Sequence, residues 1–365
     1  MKRIRVLVVD DSVVIRRLLT DILNADPEIE VCGVAPNGRI ALAKLPQLNP
    51  DIVTLDIEMP ELDGLGTLPL LRKDFPKLPV IMFSTLTSRG AMSTLDALSR
   101  GATDYVTKPA NVGSVSAGMQ CVRDQLLPRI KALCPVNQPP AVAAPKFVMP
   151  QRSPLERATR LRKSYDVIAI GSSTGGPQAL TAVLKALPGS VPVPIVIVQH
   201  MPPIFTKHLA DRLNQESALT VKEAQGGESL EPGHVYIAPG DYHMELRRDG
   251  IAVKTVLTQK PPENSCRPSV DVLFRSVASV YGQGSLAVVL TGMGQDGTRG
   301  GEHIVHAGGT IVAQDEASSV VWGMPRAVTD AGLASQVLPL NSIPGELLRN
   351  VTIGRRQLAT CGDRT

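Results

Sequence analysis

Apolar residues fall into short, mostly continuous runs, each closed by small or polar residues and each followed by apolar positions at helical spacing. In the first third of the chain Ile4 to Val9, Ile52 to Leu55 and Val80 to Phe83 are such runs, and Ser12 to Leu23 carries the helical period. Runs without polar alternation predict strands buried on both faces, and their alternation with amphipathic helices predicts a doubly wound parallel sheet. Pro69, shortly after Gly64, is expected in the first turn of a helix, where its missing N–H does little harm. The pattern runs out near Leu127. The first domain is therefore expected over residues 1–127.

From Pro128 to Ser164 the pattern is lost. Pro135, Pro139, Pro140, Pro145, Pro150 and Pro154 are separated by small residues, which predicts a semi-rigid linker over 128–164. Its second half is basic (Lys146, Arg152, Arg157, Arg160, Arg162, Lys163), and a solvated flank explains that more simply than a docking site. Apolar runs resume at Tyr165 to Ile170, Val193 to Val198 and Leu286 to Leu290, with a helical pattern over Gln178 to Leu187. A second α/β domain is expected over 165–354, mainly parallel, with a tail at 355–365.

Composition narrows the class. A chain of 365 residues has room for two or three domains, each with its own core. The formal charge of +4 is weak evidence for a polyanionic partner, and no helix-turn-helix, zinc-finger spacing or aromatic RNA-binding motif accompanies it, so nucleic-acid binding is not expected. The five cysteines are odd in number and scattered without C-x-x-C spacing, which argues against a disulfide framework or a zinc site. No apolar stretch approaches the roughly 20 residues that span a bilayer. The basic start, Lys2 to Arg5, is interrupted by Asp10 and Asp11, unlike a secretory signal. A cytoplasmic protein without membrane insertion is expected.

Two sets of strand ends carry chemistry. In the first domain Asp10-Asp11, Asp56, Ser84 and Lys108 all close predicted strands, and so share the carboxyl edge of one sheet. Three carboxylates so placed repel one another unless a cation lies among them, and hard oxygen ligands favour Mg2+ bridging to a phosphoryl group. Asp56 is placed as nucleophile, Lys108 to neutralise phosphoryl oxygens and Ser84 to donate a hydrogen bond. An acidic helix cap explains Asp10 or Asp11 alone, but not the group.

In the second domain Gly171-Ser172-Ser173-Thr174-Gly175-Gly176-Pro177 follows a strand and opens a helix. As G-x-S-x-G it is a nucleophile elbow presenting Ser173 on a strained turn; as a run of small residues at a helix start it is a phosphate cradle. Taken alone it supports both. A serine nucleophile needs a base and a group to orient it. His200, in Gln199-His200-Met201-Pro202, and Asp296, in Thr291-Gly292-Met293-Gly294-Gln295-Asp296-Gly297, close two further strands. Each has a plainer reading by itself, as a strand-end histidine and a turn aspartate. Together, three parallel strand ends converge on one crevice.

The front constellation resembles the receiver domain of bacterial response regulators, a flavodoxin-like fold, over residues 1 to about 127. The resemblance implies that Asp56 is the phospho-acceptor, that Asp11, Asp56 and the Glu58 carbonyl ligate Mg2+ with Asp10 supporting through water, and that Tyr105 is the aromatic switch. It also implies a cis bond at Lys108-Pro109. With Arg267-Pro268-Ser269-Val270-Asp271-Val272-Leu273-Phe274 added to the three strand-end strings, the whole chain resembles the CheB family of chemotaxis protein-glutamate methylesterases.

That resemblance implies a phosphorylation-activated hydrolase with Ser173 as nucleophile, His200 as base and Asp296 as orienting carboxylate, acting on glutamyl methyl esters of methyl-accepting chemoreceptors. Methanol would be released, and selected receptor glutamines deamidated. A chemotaxis histidine kinase would be the phosphodonor. No cofactor is expected for hydrolysis, and the Met293 N–H, in the glycine-rich turn before Asp296, is the candidate oxyanion donor. Cys266 departs from the family pattern, standing where a polar residue or histidine is expected. Trp322-Gly323-Met324-Pro325-Arg326 is expected to wall the cleft. The competing functions are a phosphate- or nucleotide-binding output domain and a non-catalytic receptor adaptor.

Overall fold

Every apolar run named above is a buried strand in the computed structural model, which describes residues 2–108, 115–135 and 165–351. The chain divides into two units, residues 1–143 and 144–365.

The first unit runs β1 (Ile4–Val9), α1 (Val13–Asn24), β2 (Ile29–Ala35), α2 (Gly38–Leu48), β3 (Ile52–Asp56), α3 (Gly64–Asp74), β4 (Val80–Ser84), α4 (Ser88–Ser99), β5 (Asp104–Thr107) and α5 (Val115–Leu133). Its sheet is parallel in the order β2-β1-β3-β4-β5, the flavodoxin-like order. The chain leaves β1 in one direction to β2 and then returns past it to β3, so the switch point of the sheet lies between the carboxyl ends of β1 and β3. Val6, Val8, Ile81, Phe83 and Val106 fill one face of the core with Leu19, Leu23, Val122, Leu126 and Ile130. Each such side chain contributes about 1.5–3 kcal/mol of burial free energy.

Two expectations change here. α5 does not end near Leu127 but continues to Leu133, because Val122, Leu126 and Ile130, four residues apart, hold one helix stripe on the core while Pro128 faces solvent. Pro69 is not in a first turn: it is the sixth residue of α3, so its ring removes the bond to the Leu65 carbonyl. Arg100 takes over that acceptor, with Nη1 donating to Leu65 O at 3.3 Å. The Lys108-Pro109 bond, the linker from residue 136 to 164 and the tail from residue 352 onward lie outside the described residues.

The second unit comprises β6 (Val167–Ser172), α6 (Gly176–Lys185), β7 (Ile195–Gln199), α7 (Phe205–Glu216), β8 (Thr220–Glu223), β9 (His234–Ile237), β10 (His243–Asp249), β11 (Ala252–Thr258), α8 (Val270–Tyr281), β12 (Ser285–Val289), α9 (Thr298–His306), β13 (Thr310–Gln314), α10 (Met324–Asp330) and β14 (Ala334–Leu338). Seven strands form one sheet, β14-β13-β12-β6-β7-β9-β8, parallel at every pairing, while β10 and β11 make a separate antiparallel hairpin. The chain first builds outward from β6 through β7 and later returns to place β12 on β6's other side. The switch point therefore lies between β6 and β12, where open α/β sheets bind their ligands. The core on one face packs Val196, Val198, Ala287 and Val289 against Val270, Phe274 and Val277 of α8.

Candidate functional sites

In the first unit the carboxyl edge gathers Asp10, Asp11 and Asp56, whose carboxylate oxygens lie within 4.8 Å of one another. Asp10 and Asp56 are buried; Asp11 is exposed. Lys108 Nζ lies 3.0 Å from Asp10 Oδ2 and 2.8 Å from Asp56 Oδ2. Burial pushes the Asp56 carboxyl up to about 6, and the Asp10 charge adds to that, while the Lys108 ammonium pulls the other way. Ser12 caps α1, with its hydroxyl accepting from the Ile15 N–H, and Asp10 Oδ1 accepts from the Ser12 N–H. The cap of α1 is thus Ser12 rather than Asp10 or Asp11, and Asp10 braces the cap residue while belonging to the acidic cluster.

The donor set suits a divalent cation. Three hard carboxylates share one small volume that is open to solvent on the Asp11 side, and among the described residues the Lys108 ammonium is their one ion-pair partner. Of the other side chains of the sequence constellation none joins the cluster, although for Glu58 it is the backbone carbonyl that the resemblance offers as ligand. The Ser84 hydroxyl is turned to the Gly90 carbonyl at 3.2 Å, the Glu58 side chain points out to Arg89 at 3.6 Å, and Tyr105 is buried on β5. Burial first, and the neighbouring Asp104 charge second, keep the Tyr105 phenol protonated.

In the second unit β6 ends in Ser172 and Ser173 follows it, and the two hydroxyls differ. Ser172 is fully buried and donates to Gln199 Oε1 at 2.7 Å. Ser173 is half-buried, and among the described residues its hydroxyl has no hydrogen-bond partner. The expected strain does not fall on Ser173: the left-handed residue of this turn is Gly175, at φ +76, where a Cβ would strike Val320. The turn is instead tied down by its backbone, with Gly176 N–H and Gln199 Nε2 both donating to the Ser173 carbonyl (2.8 and 2.9 Å).

His200 follows β7, and its N–H donates to the Ser172 carbonyl at 3.1 Å, which sets Ser173 and His200 on neighbouring strand ends. Nε2 of its imidazole meets Asp296 Oδ2 at 2.8 Å, and Nδ1 faces Cys266 Sγ at 3.6 Å. Asp296 is buried and richly served. Oδ1 accepts from Asn264 Nδ2 (2.8 Å), Ser269 Oγ (2.9 Å) and the N–H groups of Asp271 (2.9 Å) and Gly297 (3.0 Å), while Oδ2 also accepts from the Val270 N–H (2.7 Å). Burial alone would raise the Asp296 pKa, but the His200 contact and these donors outweigh it and hold the carboxylate down at about 2. Burial likewise opposes charge on His200, yet Asp296 and then Cys266 prevail and carry the imidazole up to about 10.

The turn after β12 lies directly on Ser173: a Cβ on Gly292 would come within 2.8 Å of Ser173 Cβ and 2.5 Å of Met324 Sδ. Gly292 donates to Val321 O and accepts from the N–H groups of Gly323 and Met324 at 3.0 and 2.8 Å. The Trp322 to Arg326 stretch is thus a backbone clamp on this turn rather than only a wall. Beside it, the Met293 N–H has no acceptor among the described residues. Gln199, Asn264 and Ser269 escaped the sequence reading as parts of this site, and Cys266, noticed only as a departure from the family pattern, proves to face the His200 ring. Asn264 and Ser269 flank the Arg267-Pro268 string, and that position was the one signal available for them. The four described cysteines are all unpaired.

Comparison with known proteins agrees with both halves. A family model described as CheB methylesterase matches residues 168–347, and one described as response regulator receiver domain matches residues 6–118. A Nocardioides protein named protein-glutamate methylesterase/protein-glutamine glutaminase is 54% identical, covering 99% of both chains; one of the same name from Trichodesmium erythraeum is 52% identical over 96% of this chain and 100% of its own. The crystal structure of the Thermotoga maritima CheB methylesterase catalytic domain covers 51% of this chain and 98% of its own at 48% identity, with a TM-score of 0.50.

Proposed function

The chain belongs to the CheB methylesterase family, and from that premise we propose that it is a phosphorylation-activated protein-glutamate methylesterase that also deamidates glutamines. Its substrates are glutamyl side chains of methyl-accepting chemoreceptors, reached from the cytoplasm. Among the described residues no helix is long and apolar enough to cross a membrane.

The observation that carries the catalytic reading is the His200–Asp296 pair at 2.8 Å, beside a neighbouring strand end whose serine hydroxyl is uncommitted. Ser173 Oγ attacks the ester carbonyl and His200 accepts its proton. Because Nε2 faces Asp296, the accepting nitrogen is Nδ1. Asp296, ionised by its donors, balances the imidazolium and fixes which ring nitrogen carries hydrogen. The same Nδ1–H passes to the methoxy oxygen, methanol leaves, and a water deprotonated by His200 frees the glutamate. With a glutamine substrate ammonia leaves in place of methanol. The Met293 N–H is the oxyanion donor in this scheme; one such donor is worth about 2.7–4 kcal/mol in the transition state. Since His200 must be neutral to accept a proton, its upward shift moves the acidic limb of the rate profile above the ordinary histidine range.

In the receiver, Asp56 takes a phosphoryl group from a histidine kinase. Asp10, Asp11 and Asp56, with the Glu58 carbonyl, are the residues that would hold Mg2+, which when bound neutralises carboxylate and phosphoryl charge together. Lys108 pairs with phosphoryl oxygens, and Ser84 and Tyr105 respond by reorienting. The unphosphorylated receiver restrains the catalytic unit, and the segment that follows α5 joins the two. One assay tests the whole reading: methanol release from methylated receptor membranes by wild type, Ser173→Ala and Asp56→Asn, with and without a phosphodonor. Wild type should be stimulated by the donor, Asp56→Asn should keep only the basal rate, and Ser173→Ala should release none. Absence of hydrolysis by phosphorylated wild type would eliminate the esterase.

A further inference from the structure

Both ring nitrogens of His200 are occupied, and neither by Ser173. Nε2 is held by Asp296 and Nδ1 by the thiol of Cys266. Cys266 arrives there through a segment built to hold it. Glu263 and Cys266 exchange backbone hydrogen bonds at 3.1 and 2.9 Å, closing residues 263–266 on themselves, and the two residues between, Asn264 (φ 52) and Ser265 (φ 61), are both left-handed without being glycine. Consecutive non-glycine residues persist there only where the surroundings over-determine them. The surroundings do so at three points. Arg275 grips the Glu263 carboxylate through both terminal nitrogens, Asn264 Nδ2 bridges Asp296 Oδ1 and Asp271 Oδ2 at 2.8 Å each, and Arg267 Nε holds Asp241 at 3.0 Å. One short loop therefore touches the histidine and its carboxylate at the same time.

We propose that Cys266 is a positioning residue for His200: its thiol occupies Nδ1 in the absence of substrate, fixing the ring plane and setting the pH at which that nitrogen becomes available to Ser173. The inference rests on the esterase reading. A ring held only at Nε2 would be free to swing about the contact with Asp296; a second hold on the opposite nitrogen removes that freedom. Sulfur suits the task because it is a weak partner, readily displaced when a serine hydroxyl and a substrate arrive. The titratable groups that face the imidazole are Asp296 and Cys266, and both favour its charged form. Asp271, Glu263 and Arg275 stand behind them, linked to Asp296 through Asn264 and through charge.

The test uses the full-length protein, treated with a small-molecule phosphodonor, as wild type, Cys266→Ala and Cys266→Ser. Methanol release from methylated receptor membranes gives kcat/KM against pH, and NMR titration of the His200 ring, assigned by its loss in His200→Gln, reads the imidazole without reference to activity. In Cys266→Ala both the acidic limb and the ring titration should move to lower pH by about half a unit or more, a threefold or greater change in proton affinity. Cys266→Ser should fall between the two. Limb and titration unchanged in a folded Cys266→Ala overturn the inference, and should that variant fold poorly, an unchanged Cys266→Ser does the same. If no form releases methanol while the ring titration still moves, the esterase reading fails and the coupling of Cys266 to His200 stands.

Discussion

Both units place their chemistry at the switch point of a parallel sheet, yet they finish the job differently. In the receiver the acidic cluster is made wholly from strand ends: Asp10 and Asp11 after β1, Asp56 on β3 and Lys108 after β5. In the catalytic unit the strand ends supply only Ser173 and His200; Asp296, expected to close a strand, instead stands well beyond β12, beside Gly297 at the start of α9, and a loop preceding α8 supplies Asn264, Cys266 and Ser269 around them. The difference follows from what each site must hold. A cluster of like charges can be organised by a cation and a lysine that share them. A proton relay needs a particular ring orientation, and strand ends fix backbones better than they fix side-chain torsions.

The sharpest way to break the comparison is Asp296→Asn. On the proposed mechanism it should lower phosphorylation-stimulated methanol release by about 10^4-fold, as loss of the orienting carboxylate does in a serine protease, and leave phosphoryl uptake at Asp56 unchanged in a labelled-phosphodonor assay. A parallel fall in both would mean that the two switch points are not separate sites. Asn264→Ala is the next smaller change. It removes one hydrogen bond from each of two buried carboxylates, and bonds to charged groups are worth about 1.5–3 kcal/mol, so kcat/KM should drop about 10- to 100-fold. A drop under threefold would make the loop ornamental and the two sites alike.

The smallest effect belongs to the receiver's own outlying side chain. Glu58 reaches out to Arg89 at 3.6 Å with both groups well exposed, and exposed pairs contribute about 0–1 kcal/mol. Glu58→Ala should therefore change the rate of phosphoryl uptake by less than about threefold, measured with the same donor. A large loss would show that this unit too depends on groups away from its strand ends.

What could be read from the sequence follows the same division. Strands buried on both faces write themselves as mostly continuous apolar runs, and the polar residue that ends each run is conspicuous for ending it. Asp56, Lys108, Ser173 and His200 were visible for that reason. Asn264 and Ser269 lie among other polar residues near a proline, where nothing in the local pattern separates a buttress from a solvated turn. Gln199 ends its strand beside the more conspicuous His200, yet its amide joins Ser172, Ser173 and His200. The extent of α5 was hidden by Pro128, whose outward position depends on packing by Val122, Leu126 and Ile130 rather than on local preference.

The pairing of β6 with β12 has a consequence for synthesis. Val167 lies opposite Ser285, and Gly171 opposite Val289, so the strand that presents the serine must wait for a neighbour made more than a hundred residues later. Until the ribosome has released most of the second unit, the crevice has one wall missing, and a nascent or truncated chain carries the serine without the means to use it.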